Sequence, residues 1–295
     1  MLGAVVPAES LWCLLGTRAV TASDDQLPMT QDRTPIVRVA LFWVGYIAIL
    51  LVGSFPRNMV PPRWAQAVWV LWGAVLVFGM TVLFVRRDGR SLRDVGLGFD
   101  AATVSRFALG VVAGAAIYLM TLLAVGAVTG AIHIENRVGF DAAAMTVAVA
   151  TFVASACMEG FGFRGYPQHT LQHRFGVWPA VITTAFFFAL SHVAFGWPWN
   201  QVLFGVFPNG LLFGMVTVAS RGLAMPVALH AAINMSQWCF GEDGGVGPWT
   251  IVVDPSALGR VQAVAPVMAL VVYGLAIFAA WLWYRRTTAS RDHCR

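Results

Sequence analysis

The chain has 295 residues, 58% hydrophobic and only 11% charged, where soluble domains carry about 25% charge. So little charge cannot cover a water-exposed globule of this size, which argues against a soluble helical bundle. The net charge of +5 comes from arginine, with no lysine in the chain. No basic stripe with interleaved aromatics marks a nucleic-acid face, so nucleic acid is not an expected partner.

Residues 1–35 are mixed and only briefly apolar, around Leu11–Leu15, and are expected to be poorly structured. The apolar run lacks the basic start of a targeting segment, and Met29 is an equally good start codon. Eight apolar segments follow, near 36–55, 64–85, 106–129, 142–171, 177–195, 200–219, 224–240 and 262–284. Each approaches the roughly 17–25 residues that cross a bilayer as a helix. Trp64, Trp178, Trp197, Trp199, Trp249 and Trp283 flank them, as in an aromatic interfacial belt. The expected fold is therefore all-α, a polytopic bundle of about eight transmembrane helices surrounded by lipid. Gly110/Gly114 and Gly210/Gly214 have the spacing that permits close helix contact in lipid. There is no internal repeat or linker, so residues 36–295 read as a single membrane domain. Cys13, Cys157, Cys239 and Cys294 are scattered, with no Cys-x-x-Cys pair, and Cys157 reads as a small packing residue.

With eight crossings, several arginine-rich regions fall on one side. These are the approach to the first segment (Arg33, Arg38), the loop after the second (Arg86, Arg87, Arg90, Arg93) and the tail (Arg285, Arg286, Arg291, Arg295). Arg174 and Arg221 join them in turns. The other side holds Arg57, Arg63, Arg137 and Arg260 with Glu242, Asp243 and Asp254. The positive-inside rule then puts both termini in the cytoplasm of a cell membrane. Exclusive use of arginine suits a GC-rich bacterial genome.

Between Ala142 and Gly241 the sole acidic residue is Glu159, inside an apolar helix. A charge at mid-membrane costs about 2.5–3.5 kcal/mol on insertion scales, so it marks a functional position. His192 and His230 also lie in apolar settings, whereas His169 and His173 read as a solvated helix end. If a helical hairpin turns at Phe175–Gly176, Glu159 and His192 both lie roughly 24 Å from the turn. His230 lies roughly 12 Å inside the turn at Arg221–Gly222. The three meet if the first hairpin protrudes by about one to two more turns. Asn234 shares a helix face with His230. Arg164, five residues after Glu159, would point to a different face of an α-helix.

These residues resemble the CPBP family of intramembrane peptidases, which includes type II CAAX prenyl endopeptidases and the bacterial Abi proteins. The family pattern of Glu-Glu-x-x-x-Arg, Phe-x-x-x-His and His-x-x-x-Asn appears in order. Here it reads Glu159-Gly160-Phe-Gly-Phe-Arg164, Phe188-x-x-x-His192 and His230-x-x-x-Asn234, within about 152–237. The Ser91–Leu97 loop is also similar to the family. The second Glu of the pattern is Gly160 here.

The resemblance implies an endopeptidase acting on a peptide or protein substrate near the cytoplasmic side. In that expectation Glu159 is the general base, His192 holds the attacking water, and His230 and Asn234 stabilise the oxyanion, with Arg164 in support. Zn2+ is a candidate cofactor, since one Glu and two His could furnish three ligands with water as the fourth. A metal-bound Glu159 would not be free to act as base, so the metal stays open. A binding or bacteriocin-immunity protein without hydrolysis is the alternative that Gly160 raises. A proton-relay transporter is a third, but paired broken helices and inverted repeats are not evident.

Overall fold

The computed structural model describes residues 34–139, 141–242 and 247–292; the expectation for residues 1–33 lies outside them. The chain runs α1 (Thr34–Val52), α2 (Pro62–Arg87), α3 (Thr103–Thr129), β1 (Ile132–Asn136) and α4 (Ala142–Glu159). A π-helical turn, Gly160–Gly165, then leads into α5 (Tyr166–Phe175), and α6 (Val177–Ala194) returns antiparallel to it. A short turn and a second π-turn, Val202–Val206, precede α7 (Phe207–Ser220). After these come α8 (Ala224–Cys239), β2 (Trp249–Val253) and α9 (Leu258–Asp292).

Among the described residues, seven helical segments are long and apolar enough to cross a membrane. The protein is thus an all-α, multi-pass membrane bundle. The eighth apolar segment, α8, has only 16 residues, about 24 Å of helix against a hydrocarbon core of about 30 Å. It can be short because protein surrounds it. Met225 through Ile233 are all buried, and α8 packs on α3, α4 and α7. Gly110 and Gly114 are what let α3 approach. A Cβ at either position would meet α8, at 2.8 Å from Ala228 Cβ and Ala232 Cβ respectively. Gly210 and Gly214 do the same for α7 against Ala185 and Val181 of α6.

Contacts between distant segments establish which ends lie together. Arg38 at the start of α1 pairs with Asp88 after α2 at 2.7 Å. Arg90 donates to Thr170, the Leu223 amide donates to Gly96 O, and Arg221 donates to Thr287 O. The described arginine-rich segment ends, at Arg38, Arg86–Arg93, Arg174, Arg221 and Arg285–Arg286, therefore share one end of the bundle. At the other end β1 and β2 pair antiparallel, Ile132 opposite Val253. That two-stranded sheet was not anticipated. Its strands are short, five residues each, and pair across more than a hundred residues of chain.

The turn after α7 is level with His169, because Gly96 both accepts from Leu223 and packs on the His169 ring. From there α5 continues six residues, roughly 9 Å, to Phe175. This is the protrusion the depth arithmetic required. It brings His230, reached from a shorter hairpin, to the depth of Glu159.

Candidate active site

The site is built around the end of α4. Three glycines in the six residues Gly160-Phe-Gly-Phe-Arg-Gly165 remove the side chains that would resist a widened turn. Backbone carbonyls there are taken by two side chains, one from α1 and one from the next turn of the same chain segment. Trp43 Nε1–H donates to Gly162 O at 3.2 Å. His169 Nδ1–H donates to Arg164 O at 3.0 Å and to Gly165 O at 2.9 Å. His169 is therefore not part of a solvated helix end, as its polar neighbours suggested, although His173 is exposed. The i→i+5 pattern of a π-turn also corrects the face expected for Arg164. In a widened turn, residues five apart approach the same face, so Arg164 turns in toward the site.

Glu159 Oε2 is buried and lies 3.7 Å from His230 Nε2, with side chains 14% and 10% exposed. Oε2 accepts no hydrogen bond among the described residues. His230 stacks on Phe213 with ring centroids 4.5 Å apart and meets the Phe188 ring edge-on at 6.2 Å. His192 packs on the same Phe188 ring at 4.7 Å and against Trp197 at 5.1 Å. Its Nδ1–H donates to Phe188 O at 2.9 Å, which fixes the tautomer and leaves Nε2 as an acceptor. Asn234, one turn beyond His230 on α8, is half-buried on the same face.

Arg164 is 2% exposed. Its guanidinium lies 4.1 Å from the Phe188 ring centre and 5.1 Å from that of Phe213. These are cation–π contacts, each stronger for being desolvated. One positive charge thus sits beneath the two aromatic rings that hold the imidazoles, close to the carboxyl it balances. Arg164, Gly160, Val227 and His230 also line a cavity of about 10 Å3, room for one water.

Gly160 has a structural counterpart. A Cβ there would lie 2.9 Å from Val227 Cγ2, and Ala156, Leu223, Val227 and Ala231 form a small apolar cluster around it. Val227 thus stands where a side chain at 160 would begin. Cys157 lines a lateral apolar groove of about 560 Å3 with Phe78, Val153 and Phe161, in keeping with its reading as a packing residue.

Among the described residues no three His, Cys, Asp or Glu side chains converge as ligands. Two site neighbours escaped the sequence reading. Trp43 and Tyr46 of α1 lie far from the motifs in the chain, and a single Tyr in an apolar helix is a weak signal.

One carboxyl, two imidazoles and a buried guanidinium thus gather inside a helical membrane bundle. Residues 140–236, which contain all of these groups and Asn234, match the family model of type II CAAX prenyl endopeptidase Rce1-like. About a third of the chain is covered by that match, which shows what this segment is similar to. No curated protein matches the chain.

Proposed function

We propose that the protein is an intramembrane endopeptidase that hydrolyses a peptide bond with a water activated by Glu159. The observation that carries this reading is the buried, unpartnered Glu159 Oε2 facing His230 Nε2 at 3.7 Å. An ionisable group is expensive at membrane depth and is kept there for function. In the proposed mechanism Glu159 accepts the proton of the attacking water, while the free Nε2 of His192 accepts a hydrogen bond from the same water. His230 and Asn234 donate to the oxyanion of the tetrahedral intermediate, where a dry site magnifies their effect. Glu159 then returns the proton to the leaving amine. The long Glu159–His230 contact suits a site that tightens on substrate, as is common before ligand binds. Arg164, fixed by its two rings, holds the net charge of the cluster near neutral without touching the reacting atoms.

The arginine-rich end of the bundle is assigned to the cytoplasm by the positive-inside rule, which puts the approach to the site on that side. The lateral groove offers a membrane-embedded segment of a substrate a route between α2 and α4.

The test is Glu159→Gln, which preserves shape and removes the base. Terminal-peptide mapping of membranes from cells carrying the wild-type or variant protein reads the outcome. The variant should accumulate uncleaved substrate, with turnover down by about 10²–10⁴-fold. Identical peptide termini and an unchanged cellular phenotype would overturn hydrolysis and favour a binding role.

A further inference from the structure

We propose that Tyr46 is a positioning residue of this site, its phenol hydroxyl directed to the Glu159 carboxyl across the π-turn. The inference rests on the hydrolase reading for its purpose, but its geometry stands independently. Tyr46 lies on α1, outside the segment that carries the family motifs. Its side chain is almost wholly enclosed, at 2% exposure. The ring meets Phe163 edge-on at 5.0 Å and lies directly against Gly162. A Cβ on Gly162 would come within 2.9 Å of Tyr46 Cδ2 and 3.2 Å of Cζ, the carbon that bears the hydroxyl.

Gly162 stands midway between Glu159 and Arg164, so this contact brings the phenol end to the turn that separates the two charges. One turn of α1 earlier, the indole of Trp43 is bonded to Gly162 O and stacked on Phe187 at 4.3 Å. Together Trp43 and Tyr46 form an i, i+3 pair that grips the π-turn from the side opposite α8.

Packing alone asks only for a phenyl ring at position 46. A hydroxyl enclosed by apolar side chains is retained when it has a polar partner, and the polar groups at this turn are the carboxyl and guanidinium of the site. Donation from the phenol to one carboxyl oxygen would fix the rotamer of Glu159 and leave the other oxygen aimed at His230. A carboxyl free to rotate would spend less time in the productive orientation.

The decisive variant is Tyr46→Phe, which keeps the ring and removes the hydroxyl. Two readouts separate positioning from packing. The first is the infrared band of the Glu159 carboxyl in purified protein in detergent, identified by its loss in Glu159→Gln. It should shift in Tyr46→Phe, and this needs no substrate and no activity. The second uses a peptide spanning a cleavage site mapped with the wild-type protein. There kcat should fall about tenfold, the worth of one hydrogen bond to a charged group, with KM within about twofold. Gly162→Ala, which pushes the ring away, should reproduce both changes. An unmoved carboxyl band in Tyr46→Phe overturns the proposal even if activity falls. A moved band in a protein whose Glu159→Gln variant still cleaves would retain the Tyr46 contact and sink the hydrolase reading instead.

Discussion

Filling position 160 gives the sharpest test of how the site is packed. A methyl at 160 would sit 2.9 Å from Val227 Cγ2, well inside an ordinary carbon–carbon contact of about 3.5–4.0 Å. Val227 cannot swing aside cheaply, because a β-branched side chain in a helix has one strongly preferred rotamer. Overpacking of this kind costs about 1–3 kcal/mol, against a gain of about 0.5–1 kcal/mol for replacing glycine by alanine in a helix. Gly160→Ala should therefore be net destabilising by about 1 kcal/mol. Val227→Ala alone loses packing and should cost about 1–2 kcal/mol. In the double variant the missing methyls make room for the added one, so the two effects should couple by about 1–2 kcal/mol. Equilibrium unfolding in detergent micelles reads the four corners of this cycle. Additivity within about 0.5 kcal/mol would refute the claimed contact. The same reasoning makes Gly160→Glu, which recreates the family's paired carboxylates, destructive alone and better tolerated beside Val227→Ala, with Arg164 as its partner.

Other outcomes follow from the same geometry. Gly114→Ala places a methyl 2.8 Å from Ala232 Cβ and should destabilise the bundle by about 1–3 kcal/mol; Gly79→Ala, inside α2 with nothing within 4 Å, should stabilise by about 0.5–1 kcal/mol in the same unfolding assay. Because α8 carries His230 and Asn234, Gly114→Ala should also lower turnover. The donor geometry predicts that purified protein holds much less than one zinc per chain by elemental analysis, and that cleavage survives complete chelation. Stoichiometric zinc whose removal abolishes cleavage would reverse that assignment.

Much of this molecule is legible in its sequence. The scarcity of charge demands lipid as solvent, and seven of the eight apolar runs form helices long enough to span it. The arginine distribution sorts the segment ends into two groups, which Arg38–Asp88, Leu223–Gly96 and Arg221–Thr287 bear out as neighbours. Glu159, His192 and His230 stand out because a polar side chain in an apolar helix is costly, and one-dimensional rise per residue is enough to compare their depths.

Features made by contact between distant segments were beyond that arithmetic. Trp43 reaches the π-turn from α1, 119 residues away, whereas His169 caps it through carbonyls only four and five residues back, a bond that its likeness to the exposed His173 conceals. A run of glycines permits a π-turn, but Trp43 and His169, by taking its carbonyls, select it over an α-helix. That selection turns Arg164 inward, where regular helical spacing points it elsewhere. Gly160 looks like a lost carboxylate until Val227 is seen in its place. Sequence alone determined the solvent, the crossings and the depth of the polar groups, since each depends on composition and axial rise. The rotation of those groups about their helices was decided by tertiary structure, because only packing partners from other segments set the shape of the turn that carries them.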